Sequence, residues 1–306
     1  MKSIVLGTVG IDDIETPADS VTGVLGGSAT YASVAAAFYS PCGIVSIIGS
    51  DFDDQYQQLL EQQSIDLGGL QVIEGGKTFR WGGRYHTNFD GRDTIFTDLN
   101  VLPLQDPQLP ENYRSTPYVL LGNTDPTVQI KVLDQLTNPN LVVVDTMNLW
   151  IDTNPALVEE VINRSNILII NEEEAHLLSN KVNPSAMIED LMSKGLDAVI
   201  VKRGSYGAVM RTTDNWFFVP AYPLVEVIDP TGAGDSFAGA FTGYLANQND
   251  LSPTSLRKAL VHGSVIASYT VQHFGVENLT KVTSEQISER YEEFLNFSQI
   301  EAGQED

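Results

Sequence analysis

A single cysteine, Cys42, stands in 306 residues, which excludes an internal disulfide framework and a cysteine-built zinc site and points to a reducing compartment. Long apolar runs are missing as well: although 42% of the residues are hydrophobic, no run approaches the ~20 residues of a membrane span, and the chain reads as soluble and globular. Met1 to Gly10 offers one lysine and a strand-like Ile4-Val5-Leu6, but neither the apolar stretch nor the cleavage site of a secretory signal, so a cytoplasmic protein is expected. Positive charge is scarce. Seventeen Lys and Arg against 40 Asp and Glu give a formal net charge of -23, a field that repels nucleic acid and anionic membranes, and neither is expected as a partner. The acids are dispersed among aromatic and aliphatic residues, which is the pattern of a folded chain with an acidic surface rather than of a disordered one. His86, His176, His262 and His273 show no metalloprotease spacing and no nucleophilic triad. Gly76-Lys77-Thr78 has the ending of a phosphate-binding P-loop, but Gln71 stands where its first glycine is required.

Short β-branched runs alternate with helical patterns along most of the chain, which predicts an α/β fold: a doubly wound, mainly parallel sheet flanked by helices. The expected strands are Ser3 to Leu6, Gly43 to Ile48, Tyr118 to Leu121, Leu141 to Asp145, Ile167 to Ile170 and Ala198 to Lys202. Helices are expected over Ser28 to Tyr39, Asp53 to Gln62, Pro126 to Leu136, Pro155 to Arg164, Glu172 to Leu178 and Pro184 to Lys194. Two places break the alternation. Leu70 to Ile73, Thr78 to His86 and Thr94 to Asn100, separated by Gly75-Gly76 and Asp90-Gly91, predict consecutive strands without helices, hence a small β lid. Gly207 to Arg211 and Trp216 to Val219 predict a second hairpin, and from Gly234 the chain reads as mainly helical. The expectation is one domain over 1–306, with the lid inserted at about 70–100 and a contribution near 21–26, and a frayed tail from Glu301 to Asp306.

The most informative stretch is Asp229-Pro230-Thr231-Gly232-Ala233-Gly234-Asp235-Ser236-Phe237-Ala238-Gly239-Ala240. Its glycines let backbone amides approach an anion, and the helix that follows points its first free N–H groups at the same place. Asp235, in the first turn, either caps that helix or takes a proton from a bound hydroxyl beside the anion hole. The full string resembles the C-terminal signature of the ribokinase-like, or PfkB, carbohydrate kinases. The resemblance implies Asp235 as catalytic base, with Gly232, Ala233 and Gly234 lining the anion hole, and transfer of phosphoryl from ATP with Mg2+.

Further segments follow the family's order. Gly26-Gly27-Ser28-Ala29-Thr30-Tyr31 resembles its sugar-side glycine pair, with Tyr31 where many members carry Asn; Tyr31 either stacks on a substrate ring or packs. Asp12, near the end of the first strand, is the candidate for substrate hydroxyls, and Asn123 and Asp125 follow another strand in the same way, Asp125 with a helix cap as its other reading. Asn171-Glu172-Glu173-Glu174 resembles the Asn-x-x-Glu motif, implying Asn171 and Glu174 near Mg2+, with Glu174 acting through water; helix capping explains the same residues without a metal. Lys202-Arg203-Gly204-Ser205-Tyr206-Gly207 resembles the nucleotide-side glycine turn, with Lys202 in place of the usual Thr and with Gly204 and Gly207 as the turn glycines. Asp229 and Thr231 are implied as holders of a potassium ion.

These readings converge on Mg2+-dependent phosphorylation, by ATP, of a hydroxyl on a ribose-like sugar or a nucleoside, specifically adenosine or another nucleoside in the narrower version. The lid is expected to cover the substrate, with Arg80, Arg84 and His86 as its contacts and Phe96 as either a contact or, by preference, a packing residue, and to support a homodimer. A dinucleotide-dependent oxidoreductase is disfavoured because no Gly-x-Gly-x-x-Gly follows the first strand. A catalytically silent sugar-binding regulator remains the rival of a different class.

Overall fold

The computed structural model describes residues 1–298 except 88 and 90. The expected tail over 301–306, and Asp90 of the expected lid turn, lie outside the described residues. The strands are β1 (Ser3–Leu6), β2 (Gly10–Glu15), β3 (Ser20–Gly26), β4 (Cys42–Gly49), β5 (Ile65–Ile73), β6 (Phe79–Tyr85), β7 (Arg92–Asp98), β8 (Tyr118–Leu121), β9 (Leu141–Val144), β10 (Ile167–Asn171), β11 (Ala198–Lys202), β12 (Ala208–Thr212) and β13 (Trp216–Val219). Nine of them form one sheet in the order β13-β12-β11-β10-β9-β8-β1-β4-β5. Every pairing from β11 through to β5 is parallel, and β12 and β13 add an antiparallel edge.

The alternation of side chains explains the two helical layers. In β1, Val5 enters one core while Ile4 and Leu6 enter the other; β8 and β9 divide in the same way. A parallel sheet covered on both faces must be apolar at consecutive positions, and β1, β8 and β9 are buried throughout. One face packs on helices Ser28–Ala37, Ala233–Gln248 and Pro253–Thr270, and the other on Pro126–Leu133, Pro155–Asn163 and Pro184–Met192. Helix Ala233–Gln248 is buried continuously from Ser236 to Ala246, so its apolar character all round follows from its central position.

A second sheet, in the order β3-β2-β6-β7, forms the lid. Its composition corrects the sequence expectation in two ways. Leu70 to Ile73 is not a lid strand: it ends β5, in parallel register with Ser46 to Gly49 of β4. The intervening Gly68-Gly69 conceals in the sequence that this strand already begins at Ile65. The fourth lid strand is β2, separated from β1 by only Gly7, Thr8 and Val9, so Asp12 belongs to the lid rather than to the end of a main-sheet strand. The lid therefore spans 10–26 and 79–98, in place of 70–100 with 21–26.

Candidate active site

Gly232 caps helix Ala233–Gln248 in the left-handed conformation, with φ 75° and ψ 0°. A β-carbon there would fall 2.3 Å from Tyr31 Cγ, so the turn closes only because glycine occupies the position. Around it, the Thr231 amide donates to Asp229 Oδ1 at 2.9 Å and the Ala233 amide to the Pro230 carbonyl at 3.2 Å. Among the described residues the amides of Gly232 and Gly234 have no hydrogen-bond partner. They are the free donors of a helix N-terminus, whereas Ala233 is engaged in its own turn. Asp235 lies beside them, half-buried in the first helical turn. Burial pushes its carboxyl up to about 6, helped by Asp145 and opposed by Lys202 and Arg92, which leaves it ionised at neutral pH.

The carboxyl ends of β9, β10 and β11 supply the next groups. The Lys202 ammonium donates to Asp145 Oδ2 at 2.8 Å, with both side chains largely buried. Asn171 and Glu174 form a reciprocal cap, each side chain accepting from the other's amide at 2.8 Å. The capping explanation of this pair therefore holds locally, yet the Glu174 carboxyl is pushed up to about 7 by burial and by Asp145, against the pull of Lys202. Arg203 turns outward, bonded to Glu172 at 3.1 Å and resting on the Tyr206 ring. Gly204 and Gly207 shape the turn that follows β11.

On the opposite side, Asp12 is 3% exposed and rests against Gly26, where a β-carbon would fall 1.9 Å from Asp12 Oδ2. Burial raises the Asp12 carboxyl to about 8, with Asp229, Asp235 and Asp13 adding to the rise and Arg92 opposing it. Ser28, after Gly27, donates to the Asn123 carbonyl at 2.8 Å and ties the glycine pair to the loop after β8. The Asn123 side chain accepts from the Trp150 indole at 3.0 Å. Asp125 caps helix Pro126–Leu133 through the Thr127 amide at 2.8 Å, as its alternative reading had it. Tyr31 is 1% exposed beneath Gly232, so of its two readings the packing one holds. Asp229 is fully buried, its Oδ2 has no hydrogen-bond partner among the described residues, and burial pushes its carboxyl up to about 6.

The Asp12 environment has a consequence for stability. A carboxyl whose affinity for its proton rises on folding stabilises the folded state at low pH, and that contribution is lost as pH climbs from the unfolded value through the folded one, here about 8. Asp12→Asn is expected to raise the melting temperature by about 2 °C or more at about pH 9 and by less at about pH 5. Thermal unfolding at the two pH values checks this, and an equal effect at both would remove the assigned environment.

Residues 12–282 match the pfkB family carbohydrate kinase profile. The chain belongs to this family. It is thus a kinase of the ribokinase type, an enzyme that phosphorylates an alcohol group of a sugar or nucleoside. A cytidine kinase of Thermococcus kodakarensis is 28% identical over 256 residues, covering 79% of this chain and 87% of that protein. A nucleoside kinase of Methanocaldococcus jannaschii is 28% identical over 236 residues, covering 76% of this chain and 74% of that one. The crystal structure of a Methanocaldococcus jannaschii nucleoside kinase superposes with a TM-score of 0.77 at 24% identity, covering 96% of this chain and 99% of the other. An E. coli protein described as a ribokinase, solved with ATP and Mg2+, gives a TM-score of 0.73 at 21% identity, covering 97% and 99%.

The lid of this pfkB kinase carries site residues that the sequence reading missed. Tyr85 places its hydroxyl 3.0 Å from Thr231 Oγ1, joining the lid to the glycine turn. Arg92, its register partner on β7, lies 5.5 Å from the Trp81 ring and exerts its charge on Asp12 and Asp235. The expected contacts Arg80 and Arg84 belong to the other face, where Phe96 packs over Gly82, as the packing reading of that ring had it. Arg80 and Arg84 pair with Asp13 and Glu15 there, and Arg80 and Phe96 border an open groove of about 500 Å³. His86 pairs with Asp93 at 3.3 Å. Period-2 alternation places Trp81, Gly83 and Tyr85 together on one face, but recognising it as the face of Asp12 requires knowing that Asp12 is their neighbour across β2.

Proposed function

We propose that the enzyme transfers the γ-phosphoryl group of ATP, in the presence of Mg2+, to a hydroxyl of a ribose-like sugar or a nucleoside. The observation that carries this reading is the ionised Asp235 carboxylate beside the free amides of Gly232 and Gly234. Asp235 takes the hydroxyl proton as the oxygen attacks, and the amides meet the charge on the migrating group without reorganisation. Asp12, backed by Gly26 and Gly27, orients the acceptor, with Asn123 bordering the same side. The lid excludes water that would otherwise compete as acceptor.

The nucleotide side is assigned to Asn171, Glu174, Lys202, Gly204 and Gly207. The Asn171 side-chain carbonyl and the Glu174 carboxyl, which the nearby Asp145 helps to raise, present oxygen donors, which suits a hard divalent cation that keeps most of its water. Bound Mg2+ would supply positive charge against the phosphates of the nucleotide. Asn171 and Glu174 would hold it, Glu174 through water. The unpartnered, fully buried Asp229 Oδ2 supports a monovalent-cation site that also uses Thr231, and potassium is the ion proposed.

The narrower version, a nucleoside rather than a free sugar, is favoured by the aromatic inner face of the lid. Trp81 lies opposite Asp12 in register, so a base stacked on the indole would leave its ribose near the carboxyl. Purified protein given ATP, Mg2+ and a panel of sugars and nucleosides is expected to release ADP fastest with a nucleoside. Tight binding of panel members without ADP release would favour the regulatory rival, and turnover confined to free sugars would remove the role given to Trp81.

A further inference from the structure

Lys202 ends β11 and reaches across the end of β10 to Asp145, which follows β9. Its side chain is 17% exposed and that of Asp145 is 7% exposed. A β-carbon on Gly234 would stand 3.0 Å from the Lys202 ammonium nitrogen, so the ammonium lies against the second glycine of the turn, whose amide is free among the described residues. Asp145, Glu174 and Asp235 all act on this lysine. The neighbouring cation, Arg203, is turned to Glu172 and Tyr206. The main sheet thus directs one cation to the place where the free amides and the base converge, at the carboxyl ends of its strands, where open α/β sheets take their ligands.

A chain of net charge -23 must draw a polyanionic nucleotide into a site where Asp235 already stands with Asp145 and Glu174, so a cation there has a task that an ordinary strand-to-strand ion pair does not. Asp145 fixes the ammonium by one hydrogen bond and leaves its remaining N–H donors for a ligand. We infer that Lys202, positioned by Asp145, grips the terminal phosphoryl group of the nucleotide, the one that moves, rather than the phosphates left on ADP. The inference rests on the ATP-dependent reading above. In the transfer, the bond from the γ-phosphorus to the β–γ bridging oxygen breaks as the bond to the acceptor oxygen forms. The acceptor proton passes to Asp235, the ammonium keeps its protons, and ADP and the phosphorylated alcohol leave.

Because ADP lacks the gripped group, binding alone tests the assignment. Calorimetric titration in Mg2+, without acceptor, compares ATP and ADP on the native enzyme and on Lys202→Gln. The expected result is an ATP Kd raised by about tenfold or more with the ADP Kd changed by less than about twofold, the weight of one charge-assisted hydrogen bond. Equal weakening of the two nucleotides, or no change in either, overturns the inference. Lys202→Gln leaves Asp145 buried without its counter-charge and risks misfolding, so the double variant Asp145→Asn, Lys202→Gln, which removes the two charges together, carries the same comparison. If the native enzyme binds neither nucleotide, the ATP-dependent reading itself fails, which is distinguishable from a lost ATP preference in the variants.

Discussion

Replacing Asp235 with Asn is expected to lower kcat by about 10²–10⁴-fold, the usual worth of a positioned general base, while ATP binding stays near native. The side chain keeps its size and place in the helix turn and loses only the capacity to accept the proton. The direction for stability is opposite to that for activity. Burial and Asp145 already raise the Asp235 carboxyl to about 6, so its ionised form opposes folding as pH rises through that value, and a neutral amide relieves the strain. Asp235→Asn should therefore melt no lower than the native enzyme at neutral pH and above. The native pH profile supplies a second reading: kcat/KM should climb as pH passes about 6, because the base works only when ionised, and this limb should vanish in the variant. Steady-state kinetics across pH with thermal unfolding decides the matter. A variant with near-native turnover would take the base role away from Asp235.

Much of this arrangement was legible in the residues because local chemistry and position agree. The string from Asp229 to Ala240 specifies its own turn and helix start, and the structure gives both at that place. Runs such as Leu141 to Val144, apolar at every position, specify a strand buried on two faces. What stayed hidden depends on contacts between distant segments. Gly10 to Glu15 and Phe79 to Tyr85 become neighbours only through parallel pairing, so nothing local says that Trp81 and Tyr85 look inward while Arg80 and Arg84 pair with acids on the outside. The same limit explains Tyr31. Its place in the sequence fits a ligand contact as well as packing, and only the approach of Gly232, some two hundred residues later, turns its ring into a floor.

That floor sets the second large effect, Gly232→Ala. Two costs fall on one methyl group. Its backbone sits at φ 75°, where a residue with a β-carbon is strained by about 1–2 kcal/mol. The methyl would also meet Tyr31 Cγ at 2.3 Å, the root of the ring rather than a mobile end, and Tyr31 is buried at 1% exposure with nowhere to retreat. The turn must therefore open, and its opening displaces the free Gly232 and Gly234 amides from the point where charge develops. Loss of a preorganised donor of this kind costs about 10²–10³ in kcat, and a lower melting temperature should accompany it. Adding Tyr31→Ala to Gly232→Ala separates the two costs: the clash goes and the backbone strain stays. Partial recovery of kcat in the double variant, beyond the sum of the single effects, is expected from residues in contact. Near-native turnover in Gly232→Ala alone would show that the glycine turn is not where phosphoryl charge is met.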